Sequence, residues 1–210
     1  MTAEQVQTIL SQHIPQQAIS YCLRLWKENP FIFRITKSRQ TKIGDFTCKP
    51  GERVRITINE DLNPYLFLTT YVHEVAHYHV HHQVGNRAEP HGDLWKQTFQ
   101  RLLEPVLNNS VFPEQLLTLL SQHMQQPMAS TFADVALTKA FRQYDHNVDT
   151  HLVLSSLGEG SVFQLNGRYF KKGKLKRTRF LCQEVKSKKQ YLVPAEALVN
   201  NAQLTLEWHF

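Results

Sequence analysis

The stretch from Tyr71 to His82, YVHEVAHYHVHH, decides how the chain is read. It holds His73-Glu74-Val75-Ala76-His77, an HExxH pattern. On a helix, residues four apart share a face, so His73 and His77 can converge on one ion. Glu74, one position after the first histidine, can then lean over water held at the metal's open position. Zinc suits this donor set, and a catalytic zinc takes three protein ligands and leaves a fourth position open. Its charge brings the pKa of bound water toward neutrality, and Glu74 is expected to accept the proton and pass it to the leaving amine.

The third ligand must come from elsewhere. His81 lies eight residues from His73, about 12 Å along a helix axis, too far for one ion with bonds of about 2 Å. His79 points to another side, and His79, His81 and His82 read as surface histidines near a helix end. His91 lies beyond the breaks at Gly85 and Pro90, where the chain can reverse and return an imidazole to the site. It opens the run HGDLW, whose Leu94 and Trp95 can fix it by packing. His91 is therefore the expected third ligand, with Glu89 as the substitute. A buried apolar helix carrying Leu66, Phe67, Leu68 and Tyr71 has little reason to hold two histidines and a glutamate without a metal, because unpaired buried polar groups are costly.

Around this segment the chain reads as α+β. Val6, Leu10, Ile14, Ile19, Cys22, Leu23 and Trp26 recur at helical spacing, broken at Pro15. Residues 31–37 and then Val54, Ile56 and Ile58 alternate as strands do. Between them, Ser38 to Phe46 is expected to be a connection turning at Gly44. Asn63-Pro64 opens the HExxH helix, which is expected to run to about Gln83. Helices are expected from Asp93 and Pro113, and another near Asp134 to Tyr144. From Leu152 onward short β-like runs alternate with turns at Asn166-Gly167 and Lys172-Gly173. The expected organisation is a domain over 1–125, a linker with a short helix over 126–150, and a small basic β-rich module over 151–210.

The net charge of +6 is unevenly placed. Arg168 to Lys189 carries +9, and the remainder carries −3. Such asymmetry suits an anionic partner, nucleic acid first among them, through Lys171, Lys172, Lys174, Lys176, Arg177 and Arg179. A solvated lysine-rich hairpin gives the same composition. No apolar run approaches the roughly 20 residues of a membrane span, and the N-terminus lacks the pattern of a secretory signal. Cys22, Cys48 and Cys182 stand far apart with no CxxC pair, as in a reducing compartment. The expectation is a cytoplasmic protein.

At this point the chain resembles the SprT-like zinc metalloproteases, which include the protease domain of Spartan. The matching residues are His73 to His77, His91-Gly92 with Trp95, the strand followed by Ser38-Arg39 and Gly44, and the strand Arg55 to Asn59. The resemblance spans roughly residues 15–105. It implies a minimal zincin-like fold with helices packed on a small sheet. It also implies zinc on His73, His77 and His91, Glu74 as general base, and a protein or peptide substrate associated with DNA. Many such proteins end in a zinc ribbon with paired cysteines, whereas only Cys182 lies in the corresponding region here. A metal-free β module is expected in its place. The competing expectation is a nucleic-acid-binding protein whose zincin site is structural or inactive.

Overall fold

The computed structural model describes residues 1–39, 42–128, 134–145 and 152–201. The chain divides into two compact units, Met1–Asp145 and His146–Phe210. Mixed helix and sheet in the first, and β structure in the second, make the protein α+β.

In the first unit, α1 (Ala3–His13) starts at a capping box between Thr2 and Gln5, and Pro15 separates it from α2 (Ile19–Glu28). Val6, Leu10, Ala18, Cys22 and Leu25 point inward from this pair. The sheet has three strands in the order β1-β3-β2. Strands β1 (Ile32–Thr36) and β3 (Arg55–Asn59) were expected, and they pair in parallel; β2 (Gly44–Thr47), antiparallel to β3, was not. Gly44, read from the sequence as a turn point, instead begins this edge strand. The chain entering β2 is tied to β3 by Arg39, whose Nε donates to Asn59 Oδ1 at 2.8 Å and Nη1 to Thr57 Oγ1 at 3.0 Å. Buried Asn59 returns hydrogen bonds to the carbonyls of Arg39 and Lys42.

The central helix α3 (Pro64–Val84) is capped by fully buried Asn63, whose side chain accepts from Leu66 N–H at 3.0 Å. The same amide donates to the Phe141 carbonyl and to Asp145 Oδ1, joining the start of α3 to the end of α6 (Val135–Arg142). Phe67, Tyr71, Val72 and Val75 are buried in the core, with Phe33 stacked edge-on against Phe67 and Tyr71. Helix α4 (Asp93–Leu103) packs beside α3 through Trp95, Phe99 and Leu102, and α5 (Glu114–His123) lies against α6. Of the stretch expected as linker and short helix, residues 129–133 and 146–150 lie outside the described residues. Leu137 and Phe141 of α6 belong to the core of the first unit.

The second unit orders its strands β4-β10-β5-β6-β8-β7, with β9 on the other side of β8. They are β4 (Leu152–Val153), β5 (Val162–Leu165), β6 (Arg168–Lys171), β7 (Leu175–Lys176), β8 (Arg179–Glu184), β9 (Gln190–Pro194) and β10 (Leu198–Asn201). Phe163, Phe170, Cys182 and Val193 form its core with Leu154, Leu157 and Val199. Among the described residues, no helix is long and apolar enough to cross a membrane.

Candidate metal centre

Helix α3 supplies two of the three imidazoles on one stripe, and the third comes from the turn ahead of α4. The Nε2 atoms stand 3.2 Å apart for His73 and His77, 3.0 Å for His77 and His91, and 3.3 Å for His73 and His91. Tetrahedral bonds of about 2.0–2.1 Å place two nitrogens about 3.3–3.4 Å apart, so the spacing fits a shared cation. Among the described residues this is the group of His, Cys, Asp or Glu side chains that can hold a metal ion. His79, His81 and His82 are not part of it. His81 lies against Phe46 at 5.6 Å, His82 meets Tyr78 edge-on at 6.4 Å, and His79 neighbours Arg101 and Glu28. Glu89, the expected substitute, turns the chain instead: its carbonyl accepts from Gly92 N–H at 3.0 Å.

His91 reaches the group through a left-handed backbone, φ 60°. That conformation is uncommon outside glycine, and the Glu89–Gly92 turn and the packing beneath the ring hold it in place. The packing comes from Trp95, 1% exposed, whose ring lies 4.6 Å from those of His73 and His91 and stacks on His77 at 5.2 Å. Phe99 continues the wall at 5.0 Å from Trp95 and 5.5 Å from His73.

The electrostatics favour neutral imidazoles. Burial, then repulsion from His77, His91 and His123, holds His73 well below the usual histidine value. Burial and His91 bring His77 down to about 4, and burial lowers His91 as well. Metal ligands must be unprotonated, so at neutral pH these three are ready to bind. Glu74 moves the other way. Burial first, then the charge of Asp45, push its carboxyl up to about 8, against a hydrogen bond from the Phe46 backbone N–H and the charges of Arg39 and Lys42. Asp45 itself stays ionised below its ordinary value: burial opposes this, and hydrogen bonds from Lys42 at 2.7 Å and Thr47 at 2.9 Å outweigh it. A carboxyl tuned toward neutrality is matched to proton transfer at physiological pH.

The family model described as SprT-like matches residues 12–113. This stretch is similar to a SprT-like domain. It takes in the sheet, α3, α4 and all four residues of the centre, and it gives the first unit its zincin-like fold. No curated protein and no solved structure matches the chain.

The surroundings of Glu74 were not foreseen from the sequence: Gly44, Asp45 and Phe46 lie on a strand too short and too polar to show a period. Nor was the pair of buried His123 and half-buried Asp134, whose histidine acts electrostatically on His73. His123 Nδ1 lies 3.2 Å from Asp134 Oδ2, while Asp134 Oδ1 caps α6.

The basic residues of the second unit divide differently from expectation. Lys172 is 4% exposed; its ammonium bonds the carbonyls of Leu157 and Ser155 and lies 3.8 Å above the Phe180 ring. It closes the fold from inside and is not available to a surface partner. Arg168 is held by Glu184 at 2.6 Å, over the rings of Phe170 and Tyr191. Lys171, Lys174, Lys176, Arg177 and Arg179 are exposed or partly so.

Proposed function

We propose that the chain is a zinc-dependent metallopeptidase of SprT-like type, with His73, His77 and His91 holding the ion and Glu74 as general base. The observation that carries this reading is the convergence of three Nε2 atoms within 3.3 Å, two of them from the helix that bears Glu74, inside a stretch similar to a SprT-like domain. A zinc ion bound there supplies Lewis-acid polarisation of a carbonyl and acidifies water. Glu74 takes a proton from the attacking water at a carboxylate oxygen and delivers it to the departing amine nitrogen. The Phe46 N–H favours the carboxylate form of Glu74, and Trp95 and Phe99 pack against the His73 ring. The test is elemental analysis followed by hydrolysis of unstructured protein substrates. About one zinc per chain, with cleavage lost in Glu74→Gln but zinc retained, supports the assignment. Undiminished cleavage in that variant removes Glu74 from the mechanism.

A second reading concerns partners: DNA-associated proteins as substrates, recruited by the second unit. One face of its sheet supports it. Register places Tyr169, Lys171, Leu181, Gln183, Gln190, Leu192, Lys176 and Arg179 on the side away from Phe170, Cys182 and Val193. Tyr169 and Leu192 are 48% and 52% exposed, Glu184 points to the other side, and this side carries no acid among these strands. Aromatic and aliphatic surface rimmed by cations suits unstacked bases and phosphates. Fluorescence anisotropy with labelled single-stranded and duplex oligonucleotides tests it. Salt-sensitive binding lost in Tyr169→Ala/Lys171→Ala/Arg179→Ala supports recruitment, and no binding at low salt refutes it.

A further inference from the structure

Gly44 is a glycine for reasons of space. Its backbone is ordinary extended strand at the start of β2, which every residue type adopts. A Cβ built on it, however, falls 2.4 Å from Glu74 Oε1, 3.0 Å from Glu74 Cδ and 2.6 Å from Thr70 Cγ2. Real Cβ contacts do not come that close, so any side chain at 44 must displace the carboxyl or the helix that bears it.

The strand register explains why the carboxyl lies there. Asn59 N–H donates to the Ile43 carbonyl, so residues 43 and 45 direct their backbone groups toward β3, and residues 44 and 46 direct theirs to the free edge. The Phe46 N–H on that edge favours the charged form of the Glu74 carboxyl. The carboxyl therefore sits under β2 against Gly44, with the Phe46 N–H two residues on. Both flanks are anchored: Arg39 and Asn59 fix the strand's entry, and Phe46 packs on His77, Tyr78 and His81.

We infer that Gly44 is a positioning residue for Glu74: the missing side chain leaves the room that the carboxyl occupies beneath the edge of β2. This rests on the metallopeptidase reading for its consequence in turnover, but not for its geometry. The pairing assigns the base's position to the edge strand, although the base shares its helix with two of the three metal ligands, His73 and His77. It follows that base and metal site are separable by mutation, because the three atoms nearest a Cβ at 44 belong to Glu74 and Thr70.

The experiment uses the full chain and compares Gly44→Ala, Glu74→Ala/Thr70→Ser and the triple variant by metal content, thermal unfolding and hydrolysis. Gly44→Ala alone is expected to keep about one metal per chain and to lower the melting temperature by roughly 3–10 °C. The same change in the Glu74→Ala/Thr70→Ser background, where the clashing atoms are gone, is expected to shift melting by under about 2 °C. Hydrolysis by Gly44→Ala is expected to fall at least about 100-fold, with no further loss on adding Glu74→Gln. Equal destabilisation in both backgrounds overturns the packing argument. Loss of the metal, or wild-type hydrolysis in a folded Gly44→Ala, overturns the positioning role. If the wild type holds metal but hydrolyses nothing, the peptidase reading fails while the unfolding comparison still decides the Gly44–Glu74 contact.

Discussion

Metal uptake should expel a proton, and the proton should come from Glu74. In the metal-free protein its carboxyl titrates at about 8. At pH 7 a group with that value is about 0.9 protonated, and at pH 9 about 0.1. The imidazoles contribute little at pH 7, since all three titrate below the ordinary histidine value and His77 at about 4. A divalent charge next to Glu74 favours the carboxylate and pulls its pKa down, so the proton leaves as the ion enters. Titration calorimetry with zinc in buffers of different ionisation enthalpy counts the protons released. The quantity to compare is the difference between wild type and Glu74→Gln, because ionisation of water at the metal is common to both. That difference is expected near 0.9 at pH 7 and near 0.1 at pH 9, falling as pH rises through 8. Protons from the histidines appear only at lower pH, as it falls through their depressed values (about 4 for His77), and in both proteins alike. A difference that stays near zero at pH 7, or one that does not fall toward pH 9, refutes the placement of a protonated Glu74 beside the ion.

Three further outcomes are expected from contacts away from the ion. Asn63→Ala removes the cap of α3 and two hydrogen bonds to the end of α6; it is expected to cost about 2–3 kcal/mol in urea unfolding, and a cost under about 0.5 kcal/mol contradicts the buried cap. Lys172→Met leaves the carbonyls of Leu157 and Ser155 without their donor and should destabilise the second unit by about 1–2 kcal/mol, whereas Lys171→Met on its surface should stay within about 0.5 kcal/mol. Arg168 and Ser187 hold Glu184 down at about 2 through hydrogen bonds, so this group contributes stability above pH 4.5 that is lost as pH falls toward 2. Acid unfolding followed by Tyr191 fluorescence should lose that component in Arg168→Met, and an unchanged acid limb would dismiss the pair.

How far sequence conveys this protein depends on the range over which each feature acts. The long helix bearing His73, Glu74 and His77 is local: a cap at Asn63, Pro64 in the first turn and twenty residues without a breaker determine it before any tertiary contact forms. His91 was reachable by elimination, because Gly85 and Pro90 break the helix and Trp95 anchors the start of α4, although nothing in the chain announced its left-handed backbone. Strand β2 is the opposite case. Four residues, GDFT, half-buried on both sides, have no alternation, and they become a strand only because Arg39 and Asn59 press the chain against β3. Gly44 looked like a turn for the same reason: a glycine signals either conformational freedom or a missing side chain, and only the position of Glu74, thirty residues on, distinguishes the two. Lys172 shows the same ambiguity in charge, since a run of lysines looks alike whether its members face water or one of them caps carbonyls inside. The chemistry of the candidate centre was therefore readable where ligands share a helix. It was hidden where the base takes its orientation from a strand whose existence depends on the fold.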